Sequence, residues 1–142
     1  MRTWIKGLAG LLALVFLASL QGCGMQDARV HAEAGVAAFH KSLDAGDMDG
    51  IWKGADEAFR AAITRQEFER FVGAVHRKLG NVVSTTTAGW SVNSRNLKTF
   101  VVLQQQTQFE RGKGNETFTF AVANDRAALV GYNVQSMDLI TL

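Results

Sequence analysis

The stretch TRQEFERFVGAVHRKLGNVVSTTTAGWSV (residues 64–92) contains the change of hydrophobic period that decides the fold. Thr64-Arg65-Gln66-Glu67 has the S/T-x-x-E form of a capping box, in which hydroxyl and carboxylate satisfy each other's backbone donors at a helix start. Phe68, Phe71, Val72, Val75 and Leu79 follow at helical spacing, Arg77 and Lys78 stand near the negative end of the dipole, and Gly80 terminates the run. Beyond Gly80 the period falls to about two. A helix over 64–79 is therefore predicted to hand over to a β half.

Upstream of this junction the pattern is helical. Ala32, Val36, Phe39 and Leu43 make an amphipathic helix of residues 29–45, stopped by Gly46. Asp47 can N-cap a short helix holding Met48, Ile51, Trp52 and Ala55, and a further turn spans 57–63 with Phe59 and Ile63 on one side. Downstream, strands are predicted at 82–92, 98–110, 116–123 and 127–135, joined by polar turns at 93–96, 111–115 and 124–126. Phe118, Phe120 and Val122 alternate with Thr117, Thr119 and Ala121, so one sheet face must bury against the helices. Helices followed by a meander define an α+β domain: N-terminal helices packed on a curved, four-stranded antiparallel sheet.

The first 23 residues carry an address. Arg2 and Lys6 precede Gly7–Leu20, 14 apolar and small residues, against about 20 needed to span a bilayer. Leu20-Gln21-Gly22-Cys23 then resembles a bacterial lipobox. Two or more lipid chains on Cys23 would supply stable anchoring, whereas the other reading is an ordinary secretory leader with an incidental thiol. The division expected is a signal peptide over 1–22, lipidated Cys23 with a short tether over 23–29, and one domain over 30–142. Gly24 after the cysteine fits release toward the outer membrane, its inner leaflet facing the periplasm. Removing Arg2 and Lys6 with the leader leaves 13 basic against 13 acidic side chains, so the apparent pI near 8.9 belongs to the export signal. That balance gives no ground for a nucleic-acid partner.

Leu43-Asp44-Ala45-Gly46-Asp47 with Trp52, Phe59-Arg60 leading to the capping box, and Arg77-Lys78-Leu79-Gly80 resemble the bacterial envelope family of unknown function numbered 4019, across roughly residues 30–136. The order of elements is similar to the cone-shaped nuclear-transport-factor-2-like (cystatin-like) superfamily. The resemblance implies a fold and a compartment. Enzymes of that superfamily place an acid, a histidine or a tyrosine inside the cone, where burial and a partner tune a catalytic base.

Here the sheet-half carboxylates Glu110, Glu116, Asp125 and Asp138 fall at strand ends or beyond and read as solvated turn charges, so no catalytic residue is assigned. His40 and His76 each lie at the edge of an apolar helix face and can look into the cavity or pack locally. His31 and His40, nine residues apart, point to opposite sides of one helix, and no metal or cofactor is expected. Trp52, Trp90 and Tyr132, with His40 and His76, can line a pocket for a small apolar ligand, or the aromatics can simply be the core. Gln104, Gln106 and Gln108 share one strand face and Gln105 and Thr107 the other, as if this part of the strand projected past the helices. The expected partners are the membrane through the N-terminal lipid, and a second copy through the sheet or another envelope protein. The leading expectation is thus a non-catalytic, lipid-anchored interaction or structural module, the alternative a binding module for a small apolar molecule.

Overall fold

A computed structural model describes residues 23–141. The signal peptide read in residues 1–22 and the side chain of Cys23 lie outside the described residues. Helix α1 (Cys23–Asp44) is followed by α2 (Met48–Gly54), α3 (Glu57–Ala62) and α4 (Arg65–Leu79), then by β1 (Val82–Arg95), β2 (Lys98–Phe109), β3 (Gly112–Ala123) and β4 (Arg126–Gln135), with a closing turn of helix, α5 (Asp138–Thr141). The four strands form one antiparallel sheet in sequence order, the α+β meander that the change of period at Gly80 predicts.

Local chemistry places each junction. Gly46 and Gly80 adopt φ of 70° and 79°, conformations open to glycine at low cost. Asp47 accepts the Gly50 N–H at 2.8 Å to cap α2, and the Arg60 guanidinium closes the other end of that helix by donating to the Ala55 carbonyl at 2.7 Å. Thr64 and Glu67 form the capping box of α4. Asp44, the last residue of α1, accepts the N–H of Val82 at 2.9 Å and so pins the end of α1 to the start of β1. Residues that give the sequence its family resemblance are therefore largely caps and stops.

Beneath α1 and α4 the helix-facing side of the sheet carries Val101, Leu103, Phe109, Phe118 and Phe120, each 2% exposed or less. Phe68, Val72, Val75 and Leu79 meet them from α4, and Ala32, Val36, Phe39 and Leu43 from α1. Burying each large side chain contributes about 1.5–3 kcal/mol.

Three expectations are corrected. The helix expected over 29–45 starts earlier: α1 begins at Cys23, and Ala28, one turn before Ala32, continues its buried stripe. The turn expected at 111–115 is only Glu110-Arg111, because Gly112 and Gly114 are strand residues that serve close approach. A Cβ on Gly112 would meet Asp138 at 2.5 Å, and one on Gly114 would meet Val134 at 3.1 Å. Gln105 and Thr107 do not project past the helices; they are 3% and 2% exposed beneath them.

Candidate functional site

Three elements converge on one buried carboxylate. Glu116 occupies the helix-facing side of β3, two residues before Phe118, and is 1% exposed. His40, on the last turns of α1, lies above it with Nε2 2.8 Å from Glu116 Oε2. The Thr107 hydroxyl, on the neighbouring strand, donates to the same oxygen at 2.6 Å. From the other neighbour, the Tyr132 hydroxyl donates to Oε1 at 2.7 Å.

Tyr132 reaches this site through a β-bulge. Phe120 pairs with Leu129 but Thr119 pairs with Gly131, leaving Val130 as an extra residue on β4. Uninterrupted alternation would put Leu129 and Tyr132 on opposite faces; the extra residue puts both inside. The phenol ring then packs against Phe39, Phe118 and Phe71, with centroids 4.6, 5.0 and 5.9 Å away. Burial first, and then the adjacent Glu116 charge, raise the Tyr132 hydroxyl well above its ordinary 10.0, so it remains a proton donor.

The polar contacts extend to the sheet edge. Thr107 Oγ1 lies 2.9 Å from Thr85 Oγ1, and Gln105 Nε2 donates to Thr87 Oγ1 at 3.0 Å. Three donors engage both oxygens of Glu116, two on Oε2 and one on Oε1, so neither oxygen of this acceptor-only group is left unpaired in so dry a place. Among the described residues no buried side-chain nitrogen or oxygen lacks a partner. Chemically this is a sealed network: it can orient β2, β3, β4 and α1 against one another, and in this closed state Glu116 offers no open face to a substrate. Among the described residues no group of three or more His, Cys, Asp or Glu side chains is placed to hold a metal ion.

Of the side chains expected to line one pocket, the structure brings His40 and Tyr132 together and disperses the rest. Trp52 packs on Phe59 and Phe68 at 6.3 and 5.5 Å. His76, half-buried on α4, has its Nε2 2.8 Å from Asn81 Oδ1. Trp90 is 42% exposed near the sheet edge with the Arg29 guanidinium 4.9 Å over its ring. Reading Glu116 as a solvated turn charge was wrong, because the turn ends five residues earlier and strand parity carries the side chain inward. The signal was available: Glu116 shares the parity of Phe118 and Phe120. An apolar cleft of about 190 Å³ does exist, elsewhere, between α1, α2 and β4, where Gly35, Phe39, Ile51, Phe120 and Leu129 line it.

Fold and site together define a small α+β domain in which α1 and a curved sheet enclose a hydrogen-bonded carboxylate. The family model described as "Protein of unknown function (DUF4019)" matches residues 36–132, a span that includes His40, Thr107, Glu116 and Tyr132, and the chain belongs to that family. No curated protein and no solved structure matches the chain.

Proposed function

We propose that this protein is a lipid-anchored domain of a bacterial cell envelope, held through Cys23 at the outer membrane's inner leaflet and facing the periplasm. In this reading it belongs to the nuclear-transport-factor-2-like superfamily and acts by binding a protein, either another envelope component or a second copy, rather than by catalysis. The observation that carries the non-catalytic part is the engagement of Glu116: the residue with the chemistry of a general base is 1% exposed and already accepts from His40, Thr107 and Tyr132. The anchor rests on the apolar run that ends in Leu20-Gln21-Gly22-Cys23. Among the described residues no helix is long and apolar enough to cross a membrane.

The outer face of the sheet suits a protein partner. Its three central cross-strand rows, Phe100 with Ala121 and Ala128, Val102 with Thr119 and Gly131, and Gln104 with Thr117 and Asn133, contain no charge. Depletion of charge is the compositional mark of an interface core. A second reading, a module for a small apolar ligand, is supported by the cleft beside Gly35 and Phe120.

Radioactive palmitate labelling tests the anchor: the wild-type chain takes up label and Cys23→Ser does not, while persistent labelling of that variant ends the proposal. Native mass spectrometry of the detergent-solubilised chain separates the two binding readings. Dimer or hetero-complex peaks support the interface, and a monomer carrying small bound mass supports the cleft.

A further inference from the structure

The end of the fold that carries the start of α1 also carries two hairpin tips. His31, two turns into α1, lies 3.4 Å from Asp125 at the β3–β4 turn, whereas Asp44, at the far end of α1, is bonded to the start of β1. The β1–β2 turn stands beside the β3–β4 turn, because Ser94 pairs with Thr99 and Thr99 with Val122. Residues 23–30 of α1 therefore run toward the same end as Asn96-Leu97 and Asn124-Asp125.

The two tips share a backbone and differ in chemistry. Both have positive φ at their central residues, 50° and 57° at Asn124-Asp125 and 49° and 63° at Asn96-Leu97, as tight hairpins require. Asn and Asp suit that conformation, and a bulky residue there is an outlier. Leu97 is nevertheless the most exposed of the large apolar side chains, fully open to solvent. Arg95 and Lys98 flank it, and Arg126 stands at the adjacent turn, all three exposed. No Asp or Glu occurs between Glu69 and Glu110. Among the described residues none forms an ion pair with Arg95, Lys98 or Arg126. At the opposite end two basic residues are engaged with backbone: Arg111 donates to the Lys78 carbonyl at 3.0 Å, and Lys78 to the Leu139 carbonyl at 2.7 Å.

We infer that this end is a membrane-docking surface, in which Leu97 enters the headgroup region of an anionic lipid layer while Arg95, Lys98 and Arg126 bind lipid phosphates. An apolar side chain within a cationic ring at the edge of a rigid sheet has the chemistry of an interfacial anchor. The inference rests on the proposed lipid anchor only for its orientation, since an acyl group on Cys23 would bring the same end to the bilayer. Docking then fixes the domain upright and leaves the uncharged central rows of the sheet's outer face turned toward soluble partners.

The full chain carrying Leu97→Cys, labelled with an environment-sensitive fluorophore, tests this in vesicles of phosphatidylcholine with or without phosphatidylglycerol and with a shallow spin-labelled quencher lipid. The same measurement on a Cys23→Ser chain from which residues 1–22 have been removed reads the tip without the anchor. Docking predicts quenching in the phosphatidylglycerol vesicles in both backgrounds, and a fall of at least about tenfold in the apparent affinity of the Cys23→Ser chain when Arg95→Glu and Lys98→Glu are added. A chain that floats with vesicles without quenching overturns the docking and spares the anchor. Quenching that is equal without anionic lipid, or indifferent to charge reversal, also overturns it. A second fluorophore on Cys23 in the otherwise wild-type background shows a free thiol and counts against the anchor alone.

Discussion

The Tyr132 hydroxyl donates to Glu116 Oε1 at 2.7 Å from the neighbouring strand, a contact that exists because Val130 is an extra residue on β4. It joins the least solvated carboxylate of the described chain to its one phenol. Because the other oxygen of Glu116 is held by His40 and Thr107, each donor has its own acceptor site and none substitutes for another.

Replacing Tyr132 by Phe keeps the ring contacts with Phe39 and Phe118 and removes only the hydroxyl. A buried acceptor left without its donor costs about 1–3 kcal/mol. Urea denaturation should show that loss at an unchanged m-value. A midpoint equal to the wild type would mean that Oε1 has another partner.

Alkaline titration isolates the same group, because Tyr132 is the chain's single tyrosine. Its folded-state pKa lies above the ordinary 10.0, so the stability that it contributes is complete below pH 10 and is lost as pH rises above it, where the unfolded chain ionises first. The decline should approach about 1.4 kcal/mol per pH unit. Tyrosinate absorbance should appear together with loss of the tertiary circular dichroism signal; a tyrosinate signal that rises through pH 10 in the folded protein would contradict the geometry.

His40 and Glu116 should be strongly coupled. Removing either partner of a buried polar pair leaves the other unmatched, with a typical cost of about 3–5 kcal/mol. His40→Ala and Glu116→Gln, alone and together, form a cycle whose coupling energy is expected at about 1–3 kcal/mol. Strict additivity would show that the 2.8 Å contact contributes nothing specific.

Gly35→Ala sets helix propensity against packing. In a free helix the change gains about 1 kcal/mol. Within α1 the new Cβ would meet the Phe120 ring at 2.7 Å, and that ring is 2% exposed and stacked on Phe118, with the two planes only 7° apart. Net destabilisation of about 1–3 kcal/mol is expected from overpacking. A raised melting temperature would show that the cleft beside Phe120 has room to yield.

Much of the architecture was legible from periodicity. Phe68, Val72, Val75 and Leu79 mark α4, the capping box marks its start, and Phe118 and Phe120 mark the buried side of β3, since these are local consequences of the 3.6 and 2.0 repeats. The site was harder to see. Gly112 and Gly114 resembled a turn and hid the first third of β3, so Glu116 was assigned to solvent although its parity with Phe118 pointed inward. Tyr132 was recognised only as one aromatic among several.

By itself, then, the sequence determined the helices, the meander and the caps at Asp47 and Thr64, because capping and alternation each involve residues close along the chain. Only the tertiary structure decided that His40, Thr107, Glu116 and Tyr132 form one sealed network, and that Leu97 stands at the same end as the start of α1. The physical reason is register: a single bulge at Val130 reverses which face Tyr132 occupies, and the crossing of α1 over the sheet selects which histidine meets the carboxylate 76 residues away.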